Sequence, residues 1–303
     1  MMKVWPAAAS VCALLSVVAA QPASADPGAG FKDCPVCPEM VVIPPGTFMM
    51  GSPATEPGRR DLEGPRHRAW IRQSIAVGRY EVSFAEWDAC AADDACDGLR
   101  PSDDGWGRGG RPVINVSWND AKAYVAWLRD KTGITYRLLS ETEWEYAARA
   151  GTTAVRIWSA AVEQACRYGN ILDRRSETSA DTAAHAHACE DGHVATAPVG
   201  SYAANRFALH DMVGNVSEWI EDCWYLGYVG APADGSARSP SRGGHPMEPF
   251  DTAHLSPGNC LDRGHRGGSW RSGPNETRAA SRAGDPKTFR ANYIGFRVAR
   301  KAP

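Results

Sequence analysis

Short apolar runs alternate along this chain with long polar stretches that are rich in glycine and proline. The run Met40–Ile43 predicts a buried strand, which residues 44–46 (Pro-Pro-Gly) end. Residues 47–50 predict the returning strand of a hairpin with a long turn, and the alternation over residues 69–77 predicts a further strand. Residues 136–139 predict another short strand.

Three helices are predicted where apolar residues recur at helical spacing behind a capping box, a serine followed three residues later by an acid. The boxes are Ser83 with Glu86, Ser117 with Asp120, and Ser140 with Glu143. The helices behind them span residues 84–92, a segment that Gly133 ends, and residues 141–150. Helices and short strands are therefore mixed along the first half of the chain.

The stretch from residue 266 to residue 300 places a polar, arginine-rich loop between two apolar runs, residues 269–270 and residues 294–298. The two runs predict a strand pair that presents the loop, and Gly267 with Gly268 allows two backbones to approach closely. Residues 151–268 show little periodicity, so we expect disulfides and bound ions to hold this region.

Composition narrows the class of protein. The 303 residues carry a net charge of −2, with acids and bases interspersed, which gives no electrostatic case for binding nucleic acid or an anionic membrane. The 11 tryptophans, 30 glycines and 21 prolines are typical of a loop-rich globule rather than a helical bundle. No repeat period and no linker stand out, so a single domain is predicted after a leader.

The first 25 residues are predicted to be a secretory signal peptide. Lys3 gives the positive start, residues 7–20 the apolar core, and residues 23–25 a small-residue cleavage site. The alternative is a membrane anchor, for which the apolar run is too short to span comfortably. We therefore expect a chain exported to a periplasm or secreted, with no membrane span after signal removal. A tether over residues 26–37 would precede one domain over residues 38–303.

The cysteine count agrees with export. Eight of the nine cysteines remain once Cys12 leaves with the leader, and an even number in an exported chain favours disulfides. Pairing of sequence neighbours gives Cys34–Cys37, Cys90–Cys96, Cys166–Cys189 and Cys223–Cys260. The alternative for Cys34 and Cys37 is a redox or zinc site, although no second cysteine or histidine pair lies nearby in sequence.

Four blocks occur in order along the chain. They are VINVSW at residues 113–118, RLLSETEWEYAARAG at residues 137–151, LHDMVGNVSEW at residues 209–219, and the arginine-rich stretch 266–300. Through these blocks, over roughly residues 38–301, the chain resembles the sulfatase-modifying-factor domain of the formylglycine-generating enzymes. The resemblance implies an α+β fold of the formylglycine-generating-enzyme type, related to C-type lectin domains and low in regular secondary structure.

The resemblance also implies two calcium sites. The first maps to Asn170, Asp191 and the carbonyls of Ile171 and His193, and the second to Asp211, Glu218 and the carbonyls of Gly214 and Val216. Calcium prefers such oxygen ligands. From the residues alone, the first set is also consistent with ordinary turns and the second with a capped turn. Asp211 stands where the enzymes usually have asparagine, and it keeps an oxygen ligand.

A different metal interpretation concerns residues at alternate positions. They are His185, His187, Cys189, Asp191 and His193. On a strand these side chains would share one face, and imidazole with thiolate suits zinc or copper. The competing interpretation places Cys189 in a disulfide.

The family's catalytic position is altered in this chain. In the enzymes, two cysteines after a Gly-Gly-Ser-aromatic motif hold copper(I) and activate oxygen. Here the motif serine is Ser269, Ser272 occupies the first cysteine position, and Glu276 or Thr277 occupies the second. Ser217 replaces the tryptophan that lines the enzymes' substrate groove. A copper site of that kind is not expected, and the iron-binding His-x-x-x-His-x-Glu pattern of the related sulfoxide synthases is absent.

Two functions remain open. The loop's other polar and aromatic side chains are Trp270, Arg271, Asn275, Arg278 and Arg282. Together with Glu276 they would bind an anionic or peptide ligand, or form a salt-bridged surface. The first function is an oxidoreductase that matures an exported protein or peptide-derived product. The second is a non-catalytic, calcium-stabilised binding module with a C-type-lectin-like fold. Conversion of cysteine to formylglycine is expected of neither.

Overall fold

The computed structural model describes residues 1–3, 28–158, 162–176, 185–239 and 260–303. The predicted signal peptide lies outside the described residues apart from its first three, and so does Cys12. Across the described ranges, no helix combines the length and the apolar character that crossing a bilayer requires.

Eleven short strands in the described ranges form three sheets. In chain order they are β1 (Gly30–Phe31), β2 (Met40–Ile43), β3 (Gly46–Met50), β4 (His67–Ile71), β5 (Ile75–Gly78), β6 (Tyr136–Leu138), β7 (Ser217–Cys223), β8 (Asp262–Arg266), β9 (Arg282–Pro286), β10 (Ile294–Phe296) and β11 (Val298–Lys301). The sheet orders are β1-β2-β5-β11-β6, β10-β7-β8-β9 and β3-β4. With the helices, these sheets confirm the predicted α+β class.

The helices begin where the capping boxes predict. They are α1 (Phe84–Ala92), α2 (Trp118–Thr132) and α3 (Glu141–Arg149), followed by a short α4 (Ala165–Tyr168). Before each of the first three, the serine hydroxyl and the acid three residues later accept each other's backbone N–H. Gly133 ends α2 with a φ of 72°. α3 ends one residue before the predicted end, because Ala150 turns left-handed with a φ of 43°.

The hairpin predicted over residues 40–50 is wrong. β2 pairs with β1 and β5, whereas β3 pairs with β4. The continuous apolar run of β2 is almost wholly buried, as expected of a strand covered on both faces, and β1 and β5 occupy its two edges. The single strand predicted over residues 69–77 is divided, because residues 72–74 carry the chain from β4 in one sheet to β5 in another.

The strand pair predicted around the arginine-rich loop is also wrong. Residues 269–270 lie in a turn, and β10 pairs in parallel with β7 instead, so that Ile294 lies opposite Ser217. β7 is buried at six of its seven positions. It therefore lacks the apolar–polar alternation that marks a half-buried strand, and the sequence pattern misses it.

Part of the segment predicted as a tether packs on the domain. Gly30–Phe31 pairs with β2, and Cys37 is fully buried. The predicted domain boundary at residue 38 stays a prediction.

All four predicted disulfides are present: Cys34–Cys37, Cys90–Cys96, Cys166–Cys189 and Cys223–Cys260. Two large hydrophobic clusters form the core, one around Trp87 and Tyr124 and the other around Trp144. β7 supplies Trp219 to the first cluster and Ile220 to the second. The strand therefore lies between the two clusters, and packing from both holds its residues in place.

Candidate functional site

A cavity of about 100 Å³ lies beside the Gly-Gly-Ser turn, where the family's catalytic position maps. Its walls include Ser217, His265, Ser269, Ser272, Glu276 and Tyr293. Next to it, Trp270 packs edge-on against Trp106, with ring centroids 5.3 Å apart. The structure therefore brings Ser217 and the site-equivalent loop together, as the resemblance implies.

Three polar side chains from adjacent strands meet at this cavity. Ser217 Oγ lies 2.6 Å from His265 Nδ1, and His265 Nε2 lies 2.9 Å from Asp285 Oδ2. The register explains the arrangement, because His265 lies opposite Trp219 on one side and Ala283 on the other. Ser217 and Asp285 are then the diagonal neighbours of His265 on the same face of the sheet.

The loop that carries the family's cysteine positions has no thiol. The Ser269 N–H donates to Ser272 Oγ at 3.0 Å. Glu276 is exposed, whereas Thr277 is buried with its hydroxyl 3.1 Å from His187 Nε2. Every cysteine in the described part of the chain belongs to a disulfide. The donor set at this position does not fit copper(I), which needs soft sulfur ligands.

Two of the loop's arginines form buried ion pairs rather than a ligand-binding surface. Arg278 Nη1 lies 2.7 Å from Glu63 Oε2, and Arg282 Nε lies 2.6 Å from Glu141 Oε1. Both guanidinium groups are almost fully buried, so they hold the loop on the domain. Arg271 is exposed.

The first predicted calcium set comes together around a buried oxygen. Asp191 accepts the backbone N–H groups of Ile171 and His193, each at 2.8 Å. Asn170 is fully buried and donates to the Ala195 carbonyl at 2.7 Å, while its Oδ1 has no hydrogen-bond partner among the described residues. Burial raises the pKa of Asp191 to about 6. An unpaired buried amide oxygen and a buried carboxylate are ligand types that calcium prefers, so the chemistry of these residues fits calcium.

The second predicted calcium set lies in a buried acidic cluster. Asp211, Glu218 and Glu81 are each at most 2% exposed, and Arg297 contacts Glu218 at 2.7 Å. Burial raises the pKa of Asp211 to about 6, and burial with two acidic neighbours raises the pKa of Glu81 well above its ordinary value. One oxygen of Asp211 has no partner in the described ranges, whereas Arg297 already contacts both oxygens of Glu218. A further cation therefore fits best at Asp211.

The two predicted calcium segments pack directly on each other. The Asn215 N–H donates to the Asn170 carbonyl at 2.6 Å. Gly214 has a φ of 79°, and a Cβ there would lie 2.1 Å from the Asn170 carbonyl oxygen. The Val216 N–H donates to Glu81 Oε1 at 3.2 Å. Glycine is therefore required at position 214, and the two segments form one structural unit.

The alternating histidine and cysteine positions do not provide a thiolate. Cys189 is bridged to Cys166. The ligand atoms of Cys166, Asp173 and Asp191 lie within 4.8 Å of one another, but the sulfur belongs to that disulfide and only the two carboxylates remain. Asp173 also accepts the Asp191 N–H at 2.8 Å. An oxygen site for a hard cation suits this geometry better than a zinc or copper site.

The sequence model of the sulfatase-modifying factor enzyme 1-like domain matches residues 29–302. The chain belongs to this family. The formylglycine-generating enzyme of Streptomyces coelicolor is 35% identical over 201 residues, which are 65% of this chain and 54% of that enzyme. The chain thus spans about half of that family member. The inactive C-alpha-formylglycine-generating enzyme 2 of Mus musculus is 29% identical over 226 residues, 60% of this chain and 68% of that protein.

Among solved structures, PvdO from Pseudomonas aeruginosa resembles this sulfatase-modifying factor family member over nearly the whole of both chains. The TM-score is 0.70 at 36% identity, and the match covers 92% of this chain and 100% of PvdO. PvdO has a C-type lectin-like fold, which confirms the predicted fold type.

The sequence analysis did not identify four side chains that take part in these sites: Glu81, Asp173, His265 and Asp285. The site contact of each is made with a residue at least 18 positions away in sequence, so no local spacing marks it. For His265, the one available signal is its position two residues before the Gly-Gly pair of the motif.

Proposed function

We propose that this sulfatase-modifying factor family member carries out oxidative maturation of an exported protein or peptide-derived client, and does not convert cysteine to formylglycine. The observation that supports this is the cavity at the catalytic position, where Ser272 stands in place of the first cysteine. Family membership supports a modifying role. The four disulfides support an oxidising compartment, in agreement with the predicted signal peptide.

Calcium belongs to this proposal as a structural ion. Asn170, Asp191 and Asp211 would hold it, with the carbonyls of Ile171 and His193 for the first site. A bound calcium ion would neutralise buried carboxylates and hold two loop segments together. The client would bind at the cavity. The second predicted calcium segment leads into β7, whose Ser217 lines the cavity, and the first segment packs on the second.

The first test is incubation with a Cys-x-Pro-x-Arg peptide and copper, followed by mass spectrometry. No formylglycine is expected, because the site has no thiolate pair to hold copper(I). The Streptomyces coelicolor enzyme serves as the positive control under the same conditions. Formylglycine in the product would overturn the statement that this chain does not convert cysteine to formylglycine.

The second test concerns oxidation of a client. Exported proteins and peptides are compared by mass in the host strain with and without this gene. The proposal expects a client that loses two hydrogens, with dioxygen as the electron acceptor, only when the gene is present. If instead the purified chain binds an exported client whose mass is the same in both strains, the oxidative role is wrong.

That outcome would support the second candidate, a non-catalytic calcium-stabilised binding module. One observation favours it: the Mus musculus relative that shares this frame is described as inactive. Loss of the catalytic cysteines with retention of the fold is consistent with a binding role.

A further inference from the structure

We propose that Ser217 is a nucleophile that His265 activates and Asp285 orients, which gives this cavity an acyl-transfer activity toward small esters. A nucleophile within hydrogen-bond reach of a base, with that base held by a third group, is the arrangement that activates serine. The distances are 2.6 Å from Ser217 Oγ to His265 Nδ1 and 2.9 Å from His265 Nε2 to Asp285 Oδ2. The activity goes beyond the proposed maturation role and does not depend on it.

The acid fixes the tautomer of the imidazole. When His265 Nε2–H donates to Asp285, Nδ1 carries the lone pair and accepts from the Ser217 hydroxyl. The one competing acceptor for this hydroxyl among the described contacts is the Arg266 carbonyl, which is farther away, at 3.1 Å. His265 Nδ1 is therefore positioned to remove the proton of the Ser217 hydroxyl.

The surrounding structure holds Ser217 and His265 rigidly. The Ser217 N–H donates to the Tyr293 carbonyl at 2.8 Å, which anchors the start of β7. The His265 ring packs edge-on against Trp219, with centroids 5.5 Å apart and an interplanar angle of 77°. Adjacent strands supply all three members, and rigid strands place catalytic groups more accurately than loops do.

The cavity size limits the reactant. Ser217 and His265 both line the cavity of about 100 Å³, which has room for a group of a few heavy atoms. An acetyl-sized acyl group fits this space, whereas a larger leaving group would remain at its mouth. The chemical class of substrate is therefore an activated ester of a short acyl group.

The step balances without a metal or an oxidant. Ser217 Oγ forms a bond to the carbonyl carbon, and its proton moves to His265 Nδ1. The ester C–O bond then breaks, and the leaving alcohol takes that proton from His265. Water adds to the acyl-serine by the reverse proton path and releases the carboxylic acid. Asp285 stabilises the imidazolium that forms in between.

Methanesulfonyl fluoride is a suitable probe because it is small and forms a stable sulfonyl-serine with loss of fluoride. We expect one methanesulfonyl group on the intact, folded chain, and peptide mapping should place it on Ser217. Ser217→Ala should not be labelled. His265→Gln should react roughly a hundredfold more slowly, as expected when a general base is lost. Asp285→Asn should slow labelling by roughly tenfold or more, and hydrolysis of p-nitrophenyl acetate should follow the same order.

The control is Ser201→Ala, which removes an exposed hydroxyl away from the cavity and should be labelled at the wild-type rate. Circular dichroism checks that each variant is folded. The peptide map of the wild-type chain decides the question even if His265→Gln does not fold. Folded wild-type chain that is unlabelled, or labelled at another serine, would overturn this proposal and leave the proposed maturation role untouched.

Discussion

Buried charge dominates this molecule at the scale of single residues. Four arginine side chains in the described ranges are at most 1% exposed and face buried acids: Arg266 with Glu145, Arg278 with Glu63, Arg282 with Glu141, and Arg297 with Glu218. Removing one partner of such a pair leaves an uncompensated buried charge, which typically costs about 3–5 kcal/mol. These pairs hold segments that are more than 75 residues apart in sequence, so they specify the tertiary structure.

Asp222 is a buried acid outside these pairs. It accepts the backbone N–H groups of Glu141 at 2.8 Å and of Arg238 at 2.7 Å. Burial, helped by the negative charge of Glu141, raises the pKa of Asp222 to about 8. In the unfolded chain an aspartate has a pKa of about 3.9. The folded state therefore holds a proton that the unfolded state releases between these two values.

We predict that this group makes the folded state less stable as the pH rises from about 4 to about 8. Its stabilising contribution is complete below the unfolded pKa and is lost as the pH passes the folded pKa, with a slope of at most about 1.4 kcal/mol per pH unit. Urea unfolding at several pH values measures the slope for the wild type and for Asp222→Asn. The variant should show a smaller fall between pH 5 and pH 7.5.

Asp61→Asn is the matched control, because the Asp61 side chain is fully exposed. It should leave the pH slope unchanged. Equal slopes for the wild type and Asp222→Asn would show that Asp222 is already ionised in the folded state near neutral pH.

At the scale of elements, local signals fix the helices and non-local pairing fixes the strands. Each capping box satisfies backbone N–H groups within four residues, so the sequence alone marks where α1, α2 and α3 begin. The end of α2 is equally local, since Gly133 adopts a left-handed φ of 72° and its N–H donates to the Arg129 carbonyl. Strands carry no comparable terminal signal.

Gly133→Ala should lower the free energy of unfolding by about 1 kcal/mol, because an L-residue is strained at this left-handed φ. A Cβ at position 133 would meet no atom within 4 Å, so the cost is one of backbone conformation alone. Gly110→Ala is the control: its Cβ also meets nothing within 4 Å, and its φ is not positive. It should be neutral or slightly stabilising. Equal losses in the two variants by urea unfolding would contradict this explanation.

At the scale of the whole molecule, disulfides and packed clusters join segments that the modest amount of regular secondary structure does not connect. Four disulfides, two hydrophobic clusters that share β7, and the packed pair of predicted calcium segments join distant parts of the chain. Gly214 lies against Asn170 in this arrangement, so an ion bound at either segment would stabilise both.

We predict that calcium raises the melting temperature and that a chelator lowers it. An ion present at about 100 times its Kd adds about 2.7 kcal/mol if it binds only the folded state. For a domain of about 270 residues, with an unfolding entropy of about 2.1 cal/mol/K per residue, that corresponds to a rise of roughly 5 °C, measured by differential scanning fluorimetry. Magnesium at the same concentration should have a smaller effect, because it prefers a smaller octahedral site.

The matched variant is Asp191→Asn, which keeps the shape of the side chain and removes its charge. It should lose the part of the calcium effect that belongs to the first site. A wild-type melting curve that is the same in calcium and in chelator would remove calcium from the proposed function.

The sequence by itself determined the features that a few neighbouring residues encode. Capping boxes gave the helix starts, sequence neighbours gave all four disulfide pairs, and four ordered blocks gave the fold family. It also located the loop with Ser272 that maps to the family's catalytic position, because the Gly-Gly-Ser motif marks that place directly.

Only the tertiary structure decided which strands pair and which side chains meet. β7 has no apolar–polar alternation in sequence that would mark its partners, and its parallel pairing with β10 depends on the packing of two separate clusters. His265 lies 48 residues from Ser217 and 20 from Asp285 in sequence, yet it contacts both. Such contacts follow from strand register, which the whole domain selects through burial, and no local spacing records it.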